Sequence, residues 1–251
     1  MQPLVRGNIR LAATVMLVRD TSFGLQVYMV QRPGRGDFPD LHVFPGGKVD
    51  EADWAPHLCA GLGEDEANRH MGLESGALRY WVAVARECFE ECGVFIVRQE
   101  QTPLDLSDSS LRDVYTTKRD ALLSGQSTFT DLCVADGLTI ACDQLAYFSH
   151  WITPDLAPRR FDTRFFLAAM PPGQLTLAHT EETADDQWIA PREALDCHAA
   201  ATWQMIDPTL RSLETLSQFD SVAQALSCVK AKEHLMPWTQ DLGKRGMQPL
   251  Q

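Results

Sequence analysis

Positive charge is scarce in this sequence: 22 Lys and Arg stand against 34 Asp and Glu, for a net charge of −12 over 251 residues. Such a chain repels nucleic-acid backbones and anionic membrane surfaces unless basic residues cluster locally, so no nucleic acid and no membrane is expected as a partner. A small anionic substrate stays open, because a bound divalent metal can be the largest local charge in a pocket and invert its field. No stretch approaches the roughly 20 apolar residues that a membrane span needs. The seven cysteines are odd in number and contain no C-x-x-C pair. That pattern suggests neither a disulfide framework nor a zinc site and points to a reducing compartment, expected here to be the cytoplasm. Internal repeats and low-complexity tracts are missing as well.

What is present is an ordinary globular composition, 45% hydrophobic and 22% charged, enough for one well-filled core with insertions. Arg6 and Arg10 precede the apolar run Leu11 to Val18, a faint likeness to a signal peptide. Arg19-Asp20 closes that run at once, so a first strand is the better reading. Ile9 to Val18 and Leu25 to Gln31 are expected to form a hairpin of the central sheet. Leu145 to Ile152, Thr163 to Ala169 and Gln187 to Ile189 read as further strands. Helices are expected over Gly76 to Cys92 with Ser75 as cap, from the Ser107/Asp108 cap to Gly125, over Ser127 to Ala135, and after Pro191. Asp207 as cap with Pro208 at the first position starts another helix, and Asp220 starts the last. The chain is thus expected to be one domain over 1–236, with an insertion at 54–75, a helical insertion at 98–143, C-terminal helices at 206–232 and a loose tail at 237–251.

The most informative stretch is Arg86-Glu87-Cys88-Phe89-Glu90-Glu91-Cys92-Gly93-Val94. At about 100° per residue, Glu87, Glu90 and Glu91 share one arc of the helix, whereas Leu78, Trp81, Val82, Ala85, Phe89 and Cys92 fall opposite. The arrangement is locally unfavourable. Glu87 and Glu91 are a like-charge pair at i and i+4, costing about 0.2–0.5 kcal/mol, and all three acids sit at the negative end of the helix dipole. A divalent cation resolves that repulsion; a merely solvated acidic face is the alternative. Upstream, Phe44-Pro45-Gly46-Gly47-Lys48-Val49-Asp50 supplies a double-glycine turn, and downstream Gly93 can end the helix.

Together these residues resemble the Nudix hydrolase signature, G-x(5)-E-x(7)-R-E-U-x-E-E-x-G-U, where U is bulky and apolar. Gly47 matches the first glycine and Arg86 to Val94 match the second half. Asp53 stands in the place of the first Glu, and 32 residues separate it from Arg86 where the pattern has seven. The segments Gln31-Arg32-Pro33, His42 to Gly47, Trp151 to Pro154, Arg159 to Thr163 and Glu182 to Trp188 extend the likeness over roughly residues 9 to 200. They are similar to the Nudix branch that contains an animal peroxisomal coenzyme A diphosphatase, whose members carry a long insert inside the box. The L-L-T-x-R opening of the separate coenzyme A signature is not present at Met29 to Pro33.

The resemblance implies an α/β fold, a Nudix α/β/α sandwich around a mixed sheet, decorated here by helical insertions and C-terminal helices. It implies Mg2+ or Mn2+ and hydrolysis of a nucleoside diphosphate linked to another moiety, with coenzyme A or acyl-CoA first. ADP-ribose, NADH and a non-catalytic nucleotide-binding module are the alternatives. Glu87 and Glu91 would be the main metal ligands, with Glu90 beside them and the Gly47 carbonyl as a further one, while Arg86 orients the carboxylates. For the base that takes the proton of water, the candidates are a box glutamate such as Glu90 or a loop acid, Glu182 ahead of Glu181. Arg32, Arg35, Arg159 and Arg160 are candidates to contact the substrate, although Arg160 could instead pair with Asp155 or Asp162. Relatives of this kind are often dimers, so a homodimer is an open alternative.

Overall fold

The fold is taken from a computed structural model, which describes residues 4–6, 9–34, 40–155, 157, 159–177 and 184–232. Arg35, Glu181, Glu182 and the tail at 237–251 lie outside the described residues. In chain order the strands are β1 (Val5–Arg6), β2 (Ile9–Thr21), β3 (Gly24–Gln31), β4 (His42–Val43), β5 (Gly46–Lys48) and β6 (Cys59–Ala60). Then come helices α1 (Glu64–Met71) and α2 (Leu78–Cys92), strands β7 (Val97–Gln99) and β8 (Thr102–Pro103), and helices α3 (Ser109–Leu123) and α4 (Phe129–Ala135). Strands β9 (Leu138–Ala141), β10 (Ala146–Ile152), β11 (Arg160–Ala169) and β12 (Asp185–Ile189) precede α5 (Pro191–Ala199), α6 (Asp207–Leu216) and α7 (Val222–Lys230).

Alternation along the strands decides the layering. Ala13, Val15 and Leu17 of β2, with Tyr28 and Val30 of β3, pack into one core with α2; Met16, Val18, Val27 and Met29 face the other core with residues of α5, α6 and α7. The main sheet runs β10-β11-β2-β3-β12, and β11 lies parallel to β2 whereas its other pairings are antiparallel. Helices on both faces of a mixed sheet make the α/β/α sandwich expected from the sequence.

One departure from a simple hairpin positions the site. Strands β2 and β3 pair from Val18↔Val27 to Thr21↔Gly24. Beyond that they take new partners: β5 pairs with β2 at Ala12 to Thr14, and β4 pairs with β3 at Val30 and Gln31. The Phe44 to Gly47 turn is thereby inserted into the sheet, with the Val15 N–H donating to the Pro45 carbonyl at 2.9 Å.

The insertions are not purely helical as expected. Beside α1, α3 and α4 they contribute a second sheet of order β6-β9-β7-β8, in which Cys59 and Ala60 pair with Ile140 and Ala141. Three helix starts also differ. α2 begins at Leu78, and Ser75 is not its cap. Its first N–H groups are satisfied from α1: Glu64 Oε1 accepts from Gly76 at 2.5 Å, Asn68 Oδ1 from Ala77 at 3.0 Å and Glu64 Oε2 from Leu78 at 3.3 Å. Tertiary acceptors have displaced the local hydroxyl. Asp207 is the first residue of α6, not its cap, and Ser221, not Asp220, caps α7 by accepting from the Gln224 N–H.

Candidate active site

Helix α2 is buried along nearly its whole length. Glu87 and Glu91 are each only 9% exposed, so the acidic arc is not a solvated face. The β5 turn covers it. A Cβ on Gly46 would overlap the Ala13 carbonyl, and one on Gly47 would lie 2.5 Å from Glu87 Oε1, so only glycines allow the turn this close. The Gly46 N–H donates to Glu91 Oε2 at 2.8 Å.

Arg86 organises the remaining acids. Its Nε and Nη2 grip Asp53 as a fork at 2.9 and 3.0 Å, Nη1 reaches Glu87 Oε1 at 2.8 Å and Glu90 Oε2 at 2.9 Å, and Nη2 also donates to the Lys48 carbonyl at 2.8 Å. All five guanidinium donors are therefore used. Asp53 is fixed in turn by the Asp50 N–H at 2.7 Å. The 32 residues between Asp53 and Arg86 loop out and leave the pair in direct contact.

Three carboxylates around one cation strain the local electrostatics. Burial works against charge on Arg86, but Glu87 and then Asp53 outweigh it and hold the guanidinium well above its ordinary pKa. Burial pushes the Glu90 carboxyl up to about 7, with Glu87 adding to the push and Arg86 opposing it. Among the described residues no three His, Cys, Asp or Glu side chains form a ready-made metal cluster.

The C-terminal end of α2 holds a residue that the sequence did not single out. Arg119 of α3 is 4% exposed and sends Nε and Nη2 to the Glu90 carbonyl at 3.0 and 2.7 Å. A cation there offsets the negative end of the helix dipole. Gly93, at φ +70°, donates to the Phe89 carbonyl, and the Leu177 N–H donates to the Cys92 carbonyl at 2.8 Å. Nothing local in sequence signals Arg119, which reaches α2 from 29 residues away.

The other candidates are spread more widely. Glu182 lies outside the described residues; of the described residues nearest to it, Leu177 bonds the end of α2, and the Ala184 N–H donates to the Gln31 carbonyl at 2.8 Å. Arg32, next in the chain, is half-buried, and its own N–H bonds the Leu41 carbonyl. Arg160 pairs with Asp155 at 2.5 Å and donates to the Thr153 carbonyl at 3.1 Å, while Arg159 is exposed. Arg160 is level with Ile9, four residues from the Ala13 that pairs with Gly47. At ~3.3 Å per residue that is roughly 13 Å along the strand, too far for the two arginines to touch the carboxylate cluster.

Comparison with known proteins bears on the same residues. The family model described as the NUDT19 Nudix domain matches residues 76–216. Putative nudix hydrolase 7 of Caenorhabditis elegans is 29% identical over 215 residues, which cover 85% of this chain and 62% of that protein. Acyl-coenzyme A diphosphatase NUDT19 of Homo sapiens is 28% identical over 237 residues, covering 80% of this chain and 62% of that one. The chain thus spans about 62% of the length of these curated relatives. A crystal structure of a Nudix hydrolase from Alicyclobacillus acidocaldarius superposes with a TM-score of 0.68 at 25% identity, covering 87% of this chain and 96% of that one. With more than half of its length matched by that family model and its box residues gathered around Arg86, this chain belongs to the NUDT19 Nudix domain family.

Proposed function

We propose that the chain is a divalent-cation-dependent diphosphatase that splits the phosphoanhydride of a nucleoside diphosphate joined to another moiety, with coenzyme A or an acyl-CoA as substrate. The observation that carries this reading is the gathering of Asp53, Glu87 and Glu90 on Arg86, with Glu91 on the Gly46 N–H. Similarity to a relative named acyl-coenzyme A diphosphatase supports the substrate class.

The donor set suits a hard ion such as Mg2+ or Mn2+: every candidate ligand offers oxygen, Glu87 and Glu91 first, then Glu90 and the Gly47 carbonyl. Such an ion, when bound, neutralises phosphate charge and lowers the pKa of a bound water. The chain's own residues do the rest. Arg86 spends all five donors on fixing Asp53, Glu87, Glu90 and the Lys48 carbonyl, so the carboxylates are held before substrate arrives. Glu90 and Glu182 are the two candidates to hold the proton released by the attacking water. Arg32, next after β3, and Arg35 are the candidates to bind phosphate oxygens. Arg159 and Arg160, at the start of β11, are the candidates for a more distant part of a long substrate.

The test compares the wild-type chain with Glu91→Gln in a screen of coenzyme A, acyl-CoA, ADP-ribose, NADH and diadenosine compounds with Mg2+, products being identified by mass. Coenzyme A or acyl-CoA should be cleaved to adenosine 3′,5′-bisphosphate and a phosphopantetheine, and Glu91→Gln should lower turnover about 10²–10⁴-fold. Undiminished turnover in that variant refutes the mechanism, and preferred cleavage of ADP-ribose or NADH refutes the substrate assignment.

A further inference from the structure

Arg119 is a buried cation with no anion beside it. Both of its hydrogen bonds go to one main-chain oxygen, the Glu90 carbonyl, at 3.0 and 2.7 Å, and among the described residues no carboxylate forms an ion pair with it. Asp120, next in the chain, is exposed, and residues at i and i+1 of a helix do not face each other. Burial accordingly pulls the pKa of Arg119 below its ordinary value. A buried charge is costly unless something compensates it, and here the compensation comes from the negative end of α2.

Capping alone does not call for such a residue. Gly93, at φ +70°, already turns its N–H back to the Phe89 carbonyl, and the Leu177 N–H takes the carbonyl of Cys92 at 2.8 Å. What sets the Glu90 carbonyl apart is the turn it belongs to. Glu87, Glu90 and Glu91 crowd like charges into a helix end, the part of a helix that frays most readily. Glu90 is gripped twice: Arg86 holds its carboxylate at 2.9 Å, and Arg119, from another helix, holds its carbonyl. Glu91 is held by its carboxylate on the Gly46 N–H at 2.8 Å. Groups that bind an ion have to stay within about 0.5 Å of their productive positions. Bonds to the carboxylates alone leave the backbone of the turn free to unwind beneath them.

We propose that Arg119 is a positioning residue of the metal site: by pinning the Glu90 carbonyl it keeps the last turn of α2 wound, so that Glu90 and Glu91 stand where a dication needs them. The assignment rests on the diphosphatase reading and gives the α3 insertion a task in it, the buttressing of α2.

Calorimetric titration of the full chain with Mn2+, beside a melting curve, tests this in Arg119→Met, Arg119→Lys and Lys118→Met. Lys118, the neighbour on α3, bonds Asp136 and not α2, so its variant loosens the insertion and leaves the Glu90 carbonyl held. Partners that orient metal ligands contribute about 10–100-fold to metal affinity. Arg119→Met should therefore bind Mn2+ at least 10-fold more weakly than wild type, Arg119→Lys should fall in between, and Lys118→Met should bind like wild type. The sign is informative, because removing a cation near a dication tightens binding if charge alone matters. Equal or tighter binding in Arg119→Met, or an equal loss in Lys118→Met, overturns the assignment. Should Arg119→Met fail to fold, Arg119→Lys carries the test: several-fold weaker binding is expected, and wild-type affinity overturns the assignment. No uptake by wild type overturns the diphosphatase reading itself, and the assignment with it.

Discussion

Replacing Arg86 by Lys keeps the charge and removes the shape. Lysine has three donors at one nitrogen where arginine has five in a planar fork, so at least two of the five bonds to Asp53, Glu87, Glu90 and the Lys48 carbonyl are lost. Hydrogen bonds to charged groups contribute about 1.5–3 kcal/mol each, and Asp53, at 1% exposure, has little water to compensate. A loss of about 3 kcal/mol follows, which for a chain of this size lowers Tm by roughly 6–12 °C. The assay is urea and thermal unfolding of wild type, Arg86→Lys, Asp53→Asn and the double variant. The two single changes should be strongly non-additive, with a coupling of about 1–3 kcal/mol. A Tm within about 2 °C of wild type, or simple additivity, would show that Arg86 is not the organiser of the cluster.

Gly47→Ala sets a methyl group against the Glu87 carboxylate, 2.5 Å from its oxygen, so turnover should fall at least 10²-fold while Tm changes by only a few degrees; steady-state kinetics beside a melting curve reads both. His42 stacks on Trp203 at 4.0 Å, and its Nδ1 has no partner among the described residues. Burial lowers its pKa below the ordinary value near 6.5, so the unfolded chain binds the proton first as pH falls. The stability linked to His42 is complete above pH ~6.5 and is lost below it. Urea midpoints between pH 7.5 and 5.5 should therefore fall less steeply in His42→Phe than in wild type; parallel slopes would contradict this.

What the sequence made legible was local. The β2–β3 hairpin, α2 and its Gly93 stop each follow from spacing within a few residues, and the carboxylate arc follows from the turn of one helix. Asp53 was legible as a motif position, but its contact with Arg86 across the insertion was not. Arg119, Glu64 and Asn68 were not legible. They serve α2 from other helices, and a carbonyl or N–H at a helix end gives no sign in sequence of which distant side chain will meet it. The second sheet escaped because its strands are two to four residues long, shorter than any readable alternation. The notion of a solvated acidic face failed for a related reason, since what covers Glu87 and Glu91 is the glycine turn of another strand.

Binding of Mn2+, followed by the loss of the free-ion electron paramagnetic resonance signal, tests most directly whether these acids are gathered to hold a dication. The wild-type chain should take up Mn2+ saturably and release it to excess Mg2+, with affinity reduced at least 10-fold in Glu87→Gln and Glu91→Gln while both variants stay folded. Equal uptake by wild type and both variants, or none by any of them, would contradict the account.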